Sequence, residues 1–152
     1  MIEIISKTKT GSEIATLAEA VLFFRSEDSG GSENALIESL ITGAREEIEN
    51  QTNLSLVAST VVIYAEDWSG FLPFSPVATI TTTVEYTGQS MPYISVTDGI
   101  EITYTTLAKG GMDLKNAVLE LAYDWYKRGE PSSYMPENVK RVIKNRRLKG
   151  FI

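Results

Sequence analysis

The 152-residue chain has no cysteine and no histidine. The first absence excludes disulfides, thiolate metal sites and cysteine nucleophiles. The second excludes imidazole ligands, a Ser-His-Asp constellation and the commonest general base near neutral pH. An enzyme built from these residues would have to use carboxylates, lysine, tyrosine or a carboxylate-bound metal. Long apolar runs are absent too. The segment VVIYA at 61–65 is far shorter than the ~20 residues that cross a bilayer, and MIEIISKTKTGSE has no continuous apolar stretch of the kind a signal peptide needs. No Walker loop, no G-x-G-x-x-G, no internal repeat and no low-complexity tract is present. The expectation is a non-enzymatic chain that takes no cofactor and touches no membrane.

What is there is ordinary globular material, 43% hydrophobic and 22% charged, in a length that suits one domain over 1–152. The charge is unevenly placed. The net is −6, yet residues 137–152 hold six cations (Lys140, Arg141, Lys144, Arg146, Arg147, Lys149) against Glu137 alone. Residues 1–136 therefore carry 8 basic against 19 acidic side chains. An acidic body that ends in a basic arm has to be explained.

Hydrophobic periodicity supplies the architecture. MIEIIS reads as a short strand or an arm, and KTKTGS as a loop. T-L-A-E at 16–19 has the form of a capping box and opens a helix to Phe24 or Arg25, with Leu17, Val21 and Phe24 on one face. Two glycines and several turn formers at 26–33 end it. In NALIESLITGAREEIENQTN, Leu36, Ile37, Leu40, Ile41, Ala44 and Ile48 recur at helical spacing, while Glu33, Glu38, Arg45, Glu46, Glu47 and Glu49 form what reads as a solvated face. The period then drops to about 2 in 55–67, 77–88, 92–97 and 99–106, rich in Val, Ile, Thr and Tyr. Asp98-Gly99 signals a hairpin. Between the first two strands, DWSGFLPFSPV is an aromatic loop, either a cap on the sheet or an exposed contact through Trp68, Phe71 and Phe74. A helix over 114–129 follows, with Asp113 as N-cap, Gly129 as stop, and Ala117, Val118, Leu121, Ala122 and Trp125 buried. A last helix starts at Pro136 and runs to about Arg147. The fold class is α+β: two N-terminal helices, a small central antiparallel β-sheet, and two C-terminal helices.

Three features could carry chemistry or recognition. Glu66-Asp67 beside Trp68 could hold a hard metal, and an enzyme of that kind would lose activity on Asp67→Asn; two carboxylates at a strand end are more often just solvated, and that is the preferred reading. Gly110-Gly111 ahead of a helix reads as a flexible turn rather than an anion site. In the basic arm, the macrodipole accounts for cations late in the helix but not for Lys140 and Arg141 in its first turn. Contact with nucleic acid or docking on an acidic protein surface would account for them, the latter with Phe151 and Ile152 as an apolar anchor.

Three segments together resemble the head–tail connector proteins of tailed bacteriophages, also called adaptor or head-completion proteins. They are TLAEAVLFFR with ALIESLITGAREEIENQTN, FLPFSPVATITTTVEY, and AVLELAYDWYKRGE with PENVKRVIKNRR. They cover most of the chain in the family's order. The resemblance implies a structural virion protein, made in the bacterial host cytoplasm and placed in the neck at the portal vertex. It implies a homo-oligomeric ring, typically a dodecamer, that completes the head between the portal protein and a tail or stopper protein, with genomic DNA passing through without sequence-specific binding. It also implies that 137–152 is the docking helix and tail, with Lys140, Arg141, Lys144, Arg147, Phe151 and Ile152 on the portal. Contacts to a neighbouring subunit or the tail are expected from Ile2, Ile4, Trp68, Phe71 and Phe74, MIEIIS being a candidate to pair with a neighbour's sheet edge. The alternatives are a tail-side completion or terminator protein, and a nucleic-acid-binding module acting through the basic helix.

Overall fold

The computed structural model describes residues 1–24 and 31–148. The elements run β1 (Ile2–Lys9), α1 (Leu17–Phe24), α2 (Asn34–Thr52), β2 (Ser59–Ala65), β3 (Trp68–Phe71), β4 (Val77–Ile80), β5 (Tyr86–Thr87), β6 (Tyr93–Val96), β7 (Ile100–Thr106), α3 (Met112–Arg128) and α4 (Glu137–Arg146). The fold is α+β with two helices on either side of the main run of strands. The chain divides into two compact units where the sequence alone reads as one domain: a β unit of Met1–Ser12 and Asn53–Lys109 together with Leu148, and an α unit of Glu13–Thr52 and Gly110–Arg147.

The β unit holds two sheets, not one. The first has the order β1-β2-β7-β4 and the second β3-β6-β5, with every pairing antiparallel. They share a long ribbon: β2 pairs with β7 (Ala65↔Ile100) and, past an interruption, β3 pairs with β6 (Trp68↔Val96). At the interruption Asp67 takes a left-handed φ of 45° and its N–H donates to Thr97 O at 3.1 Å. Asp98-Gly99 is therefore not a hairpin turn. It is the point where one side of the ribbon passes from the second sheet to the first, and a Cβ on Gly99 would meet the Tyr64 hydroxyl, which would have to move aside. The expected single strand over 77–88 is broken into β4 and β5, because Thr81 and Thr82 turn their polar groups onto the Thr103 backbone. Lys7 to Lys9, expected in a loop, belong to β1, where backbone pairing to Ser59–Val61 makes side-chain polarity irrelevant.

Val61, Ile63, Leu72, Phe74, Val77, Ile94, Ile102 and Tyr104 form the β-unit core, with Ile2, Trp68, Ile80, Val84 and Ile100 packed on its margin. The period-2 burial of β2 and β7 is what an amphipathic strand pair requires. The Tyr104 hydroxyl donates to Pro73 O at 2.6 Å, and burial pushes its pKa up.

In the α unit the capping box is present: Glu19 N–H donates to Thr16 Oγ1 and Thr16 N–H to Glu19 Oε1, both at 3.1 Å. Ala20 and Phe24 are buried on α1, while Val21 is only half-buried. On α2, Ile37, Leu40, Ile41, Ala44 and Ile48 are buried as the spacing predicts, but Leu36 is 49% exposed. The larger correction is that Arg45 and Glu49, assigned to the solvated face, are 2% and 0% exposed. Arg45 bridges Glu49 (2.5 Å) and Glu13 (2.9 Å), so the buried charge is paired rather than orphaned. The α3 N-cap is Gly111, not Asp113; Asp113 sits in the first turn, where Arg146 of α4 grips both its oxygens at 2.8 and 2.7 Å. Gly129 ends α3 in the left-handed conformation its sequence position predicts, φ 83°, with its N–H on Trp125 O.

Candidate functional site

The helix α4 is built to show its cations. Val139 and Ile143, one turn apart, are buried and fix its orientation within the α unit. The Asp113–Arg146 fork ties its last turn to the first turn of α3, and Arg146 holds the Asp113 carboxyl below its usual pKa. Arg146 is thus structural. The remaining cations, Lys140, Arg141, Lys144 and Arg147, are exposed. Lys140 lies 3.4 Å from Glu137, and Arg141 donates to Asn138 Oδ1 at 2.7 Å. Arg141, Lys144 and Arg147 have no carboxylate partner among the described residues. Unneutralised cations on a rigid, packed helix are a ready surface for an acidic partner. Phe151 and Ile152, the expected anchor of the same surface, lie outside the described residues.

The residues expected to meet a neighbouring subunit or the tail are dispersed over the β unit. Ile2 is half-buried at the core margin, and Ile4 is 47% exposed on β1, which among the described residues pairs with β2 alone. Trp68 packs on the core margin, Phe71 stacks edge-on against Tyr93 with ring centroids 5.4 Å apart, and Leu72 turns into the core. Phe74 is 3% exposed, held at a positive φ of 61° with its N–H on Asn53 Oδ1 and Lys7 Nζ over its ring. The aromatic segment is therefore mostly a cap on its own sheet, and Phe74 presents no surface. Tyr86 and Tyr93, 51% and 42% exposed, do present one on the second sheet. Reading 77–88 as one strand hid this, because a strand break resets which side chains face out.

At the candidate metal pair, the Tyr64 hydroxyl reaches Glu66 Oε2 at 3.4 Å, while the Glu66 carbonyl takes the terminal amine of Met1. Among the described residues no group of three or more Asp or Glu side chains could hold a metal ion. None of the described helices is long and apolar enough to cross a membrane.

The two units, the split ribbon and the α3–α4 pair define an α+β fold also found in chains of gene transfer agent particles. Compared with solved structures, the chain is similar over its whole length to a chain in the "Virion of native gene transfer agent (GTA) particle". The TM-score is 0.73 at 21% identity, with 97% of that chain covered. It is also similar to a chain in the "Neck of empty GTA particle computed with C6 symmetry", with a TM-score of 0.67 at 20% identity, over 97% of this chain and 98% of that one. No family model matches the sequence, and no curated protein matches it. At this identity the likeness shows a shared fold.

Proposed function

We propose that this chain is a structural subunit of the neck of a tailed, phage-like virion, forming a ring between portal and tail around the DNA channel. The observation that carries the reading is end-to-end similarity of fold to chains of a virion and of a neck, with almost nothing left over on either side. It agrees with the order of segments by which the sequence resembles connector proteins. The role is structural, and the partners are the portal protein, a tail or stopper protein and further copies of the chain.

In this reading the basic face of α4 is the portal-docking surface, with Lys140, Arg141, Lys144 and Arg147 meeting acidic residues and Phe151-Ile152 anchoring beyond them. The acidic body, −11 over residues 1–136, suits a channel wall that lets DNA slide without gripping it. The start of β1, with Ile2 and Ile4, serves contact with another copy.

The test is capture of the chain by the portal of the same particle at two salt concentrations. The quadruple variant Lys140→Gln, Arg141→Gln, Lys144→Gln, Arg147→Gln should lose most binding. Wild-type capture should weaken with salt, because the neutralised residues are solvent-exposed. Equal capture of the quadruple variant would remove α4 from the interface. Failure of the intact chain to bind portal, together with salt-sensitive binding to plain duplex, would favour the nucleic-acid reading.

A further inference from the structure

Most of the β unit is built without cations. From Asn53 to Ala108 the sequence holds five carboxylates (Glu66, Asp67, Glu85, Asp98 and Glu101) and no lysine or arginine. One of these carboxylates stands in a cleft on the second sheet. The cleft, of about 600 Å3, is lined by Val84, Glu85, Tyr86, Thr87, Tyr93 and Ser95, and Glu85 is the one charged residue of that lining. Its size falls within the range of clefts that bind small groups.

Strand register explains why these groups converge. β5 meets β6 at Thr87↔Tyr93, and β3 meets β6 at Phe71↔Tyr93 and Ser69↔Ser95. Alternation puts Thr87, Tyr93 and Ser95 on one face, and the same register carried past Tyr86 brings Glu85 opposite Ser95. Tyr86 pairs with the buried Ile94, but among the described residues β5 is the last strand of its sheet, so the Tyr86 ring stays exposed at the side of the cleft. Phe71 braces the exposed Tyr93 ring edge-on. Ser95 Oγ lies 2.7 Å from Ser69 Oγ, a hydroxyl pair with lone pairs still to offer. Among the described residues the Glu85 carboxylate pairs with no cation, and the Tyr86 and Tyr93 hydroxyls bond to no other side chain.

Two exposed aromatic rings, an unpaired carboxylate and hydroxyl oxygens together match a group that is flat, cationic and rich in N–H. Guanidinium is that group. It stacks on aromatic faces and forks onto a carboxylate, whereas an ammonium is more strongly hydrated and has no plane to stack. We infer that this cleft binds an arginine side chain of a protein partner, with the guanidinium between Tyr86 and Tyr93, its fork on Glu85 and its other N–H groups toward Ser95 and Thr87. Nucleic acid, being anionic, does not suit it. The cleft and α4 therefore select opposite partners: α4 offers cations to an acidic surface, and the cleft accepts one from a basic surface. This inference does not depend on portal binding.

The test is a titration of the intact, isotope-labelled chain with the peptide acetyl-Gly-Arg-Gly-amide, followed by backbone amide NMR shifts. The amides of Glu85, Tyr86, Thr87, Tyr93 and Ser95 should move together and saturate with a Kd on the order of 10 mM, the affinity of one exposed cation–π contact and one exposed ion pair. The same peptide with citrulline, which keeps the shape and loses the charge, should leave them in place. Glu85→Gln and Tyr86→Leu, both at exposed positions, should each weaken binding about threefold, with thermal unfolding showing that the fold is retained. Amides that stay still at roughly ten times that peptide concentration would overturn the inference. So would a citrulline peptide that binds as tightly, or a lysine peptide or spermidine that binds more tightly, since either result removes the requirement for guanidinium.

Discussion

Single side chains in this protein divide by whether their charge is spent inside the molecule or left outside. Arg45 is spent inside. Burial works to lower its pKa, but Glu13 and Glu49 more than offset that and the net shift is upward. Arg45→Ala would leave Glu49, fully buried, facing an empty site, and should destabilise the protein by about 3–5 kcal/mol. Arg45→Met with Glu49→Leu, which removes both charges and keeps the volume, should recover most of that loss; urea unfolding of both variants measures the difference. Asp113 and Glu19 are the acid-sensitive points. Arg146 lowers the first and Lys115 the second. A carboxyl whose folded pKa lies below its unfolded value contributes stability that is present above the unfolded value, near pH 4, and lost as pH falls through the folded one. Asp113→Asn should therefore flatten the fall in melting temperature from pH 5 to pH 3, with little change in its slope above pH 6. The sequence could not reveal Arg45. Charges four apart on a helix look alike whether the face is wet or dry, and only the Glu13 side chain, 32 positions away in sequence, identifies this one as internal.

At the scale of elements, helices were more legible than strands. A capping box, a helical apolar stripe and a terminal glycine are local signals, and α1, α2, α3 and α4 all lie where those signals put them. Strand pairing is not local. Nothing between residues 77 and 88 announces that Thr81 and Thr82 will bond to Thr103 and break the strand, and Asp98-Gly99 carries a hairpin signal while serving as a step in a ribbon whose other side is Glu66-Asp67. The basic arm was legible as a charge run but not in its division of labour, since Arg146 is consumed by Asp113. Nor is α4 a detachable arm, because it contributes Val139 and Ile143 to the α-unit core. A chain ending at Asn138 should lose several kcal/mol through those two side chains alone and melt at a clearly lower temperature. A chain ending at Leu148 keeps both side chains. Portal capture by the two truncated chains then separates the basic face, which the longer one keeps, from the terminal Phe151-Ile152.

At the scale of the whole molecule, an acidic stretch over residues 1–136 meets a helix of exposed cations. Under the proposed function these are attributes of a component that is finished by assembly. The fold shared with chains of a virion and of a neck supports the kind of assembly, and the charge distribution would let one component hold protein at one surface and tolerate passing DNA at another. The most direct measurement is electron cryomicroscopy of the particle that encodes this chain, focused on the portal vertex, with mass spectrometry of the same preparation. The account predicts the chain among the virion proteins and a ring of density between portal and tail that fits its β and α units, with α4 toward the portal. Purified, tailed particles that lack the chain, or a portal vertex whose density is filled by other proteins, would contradict it.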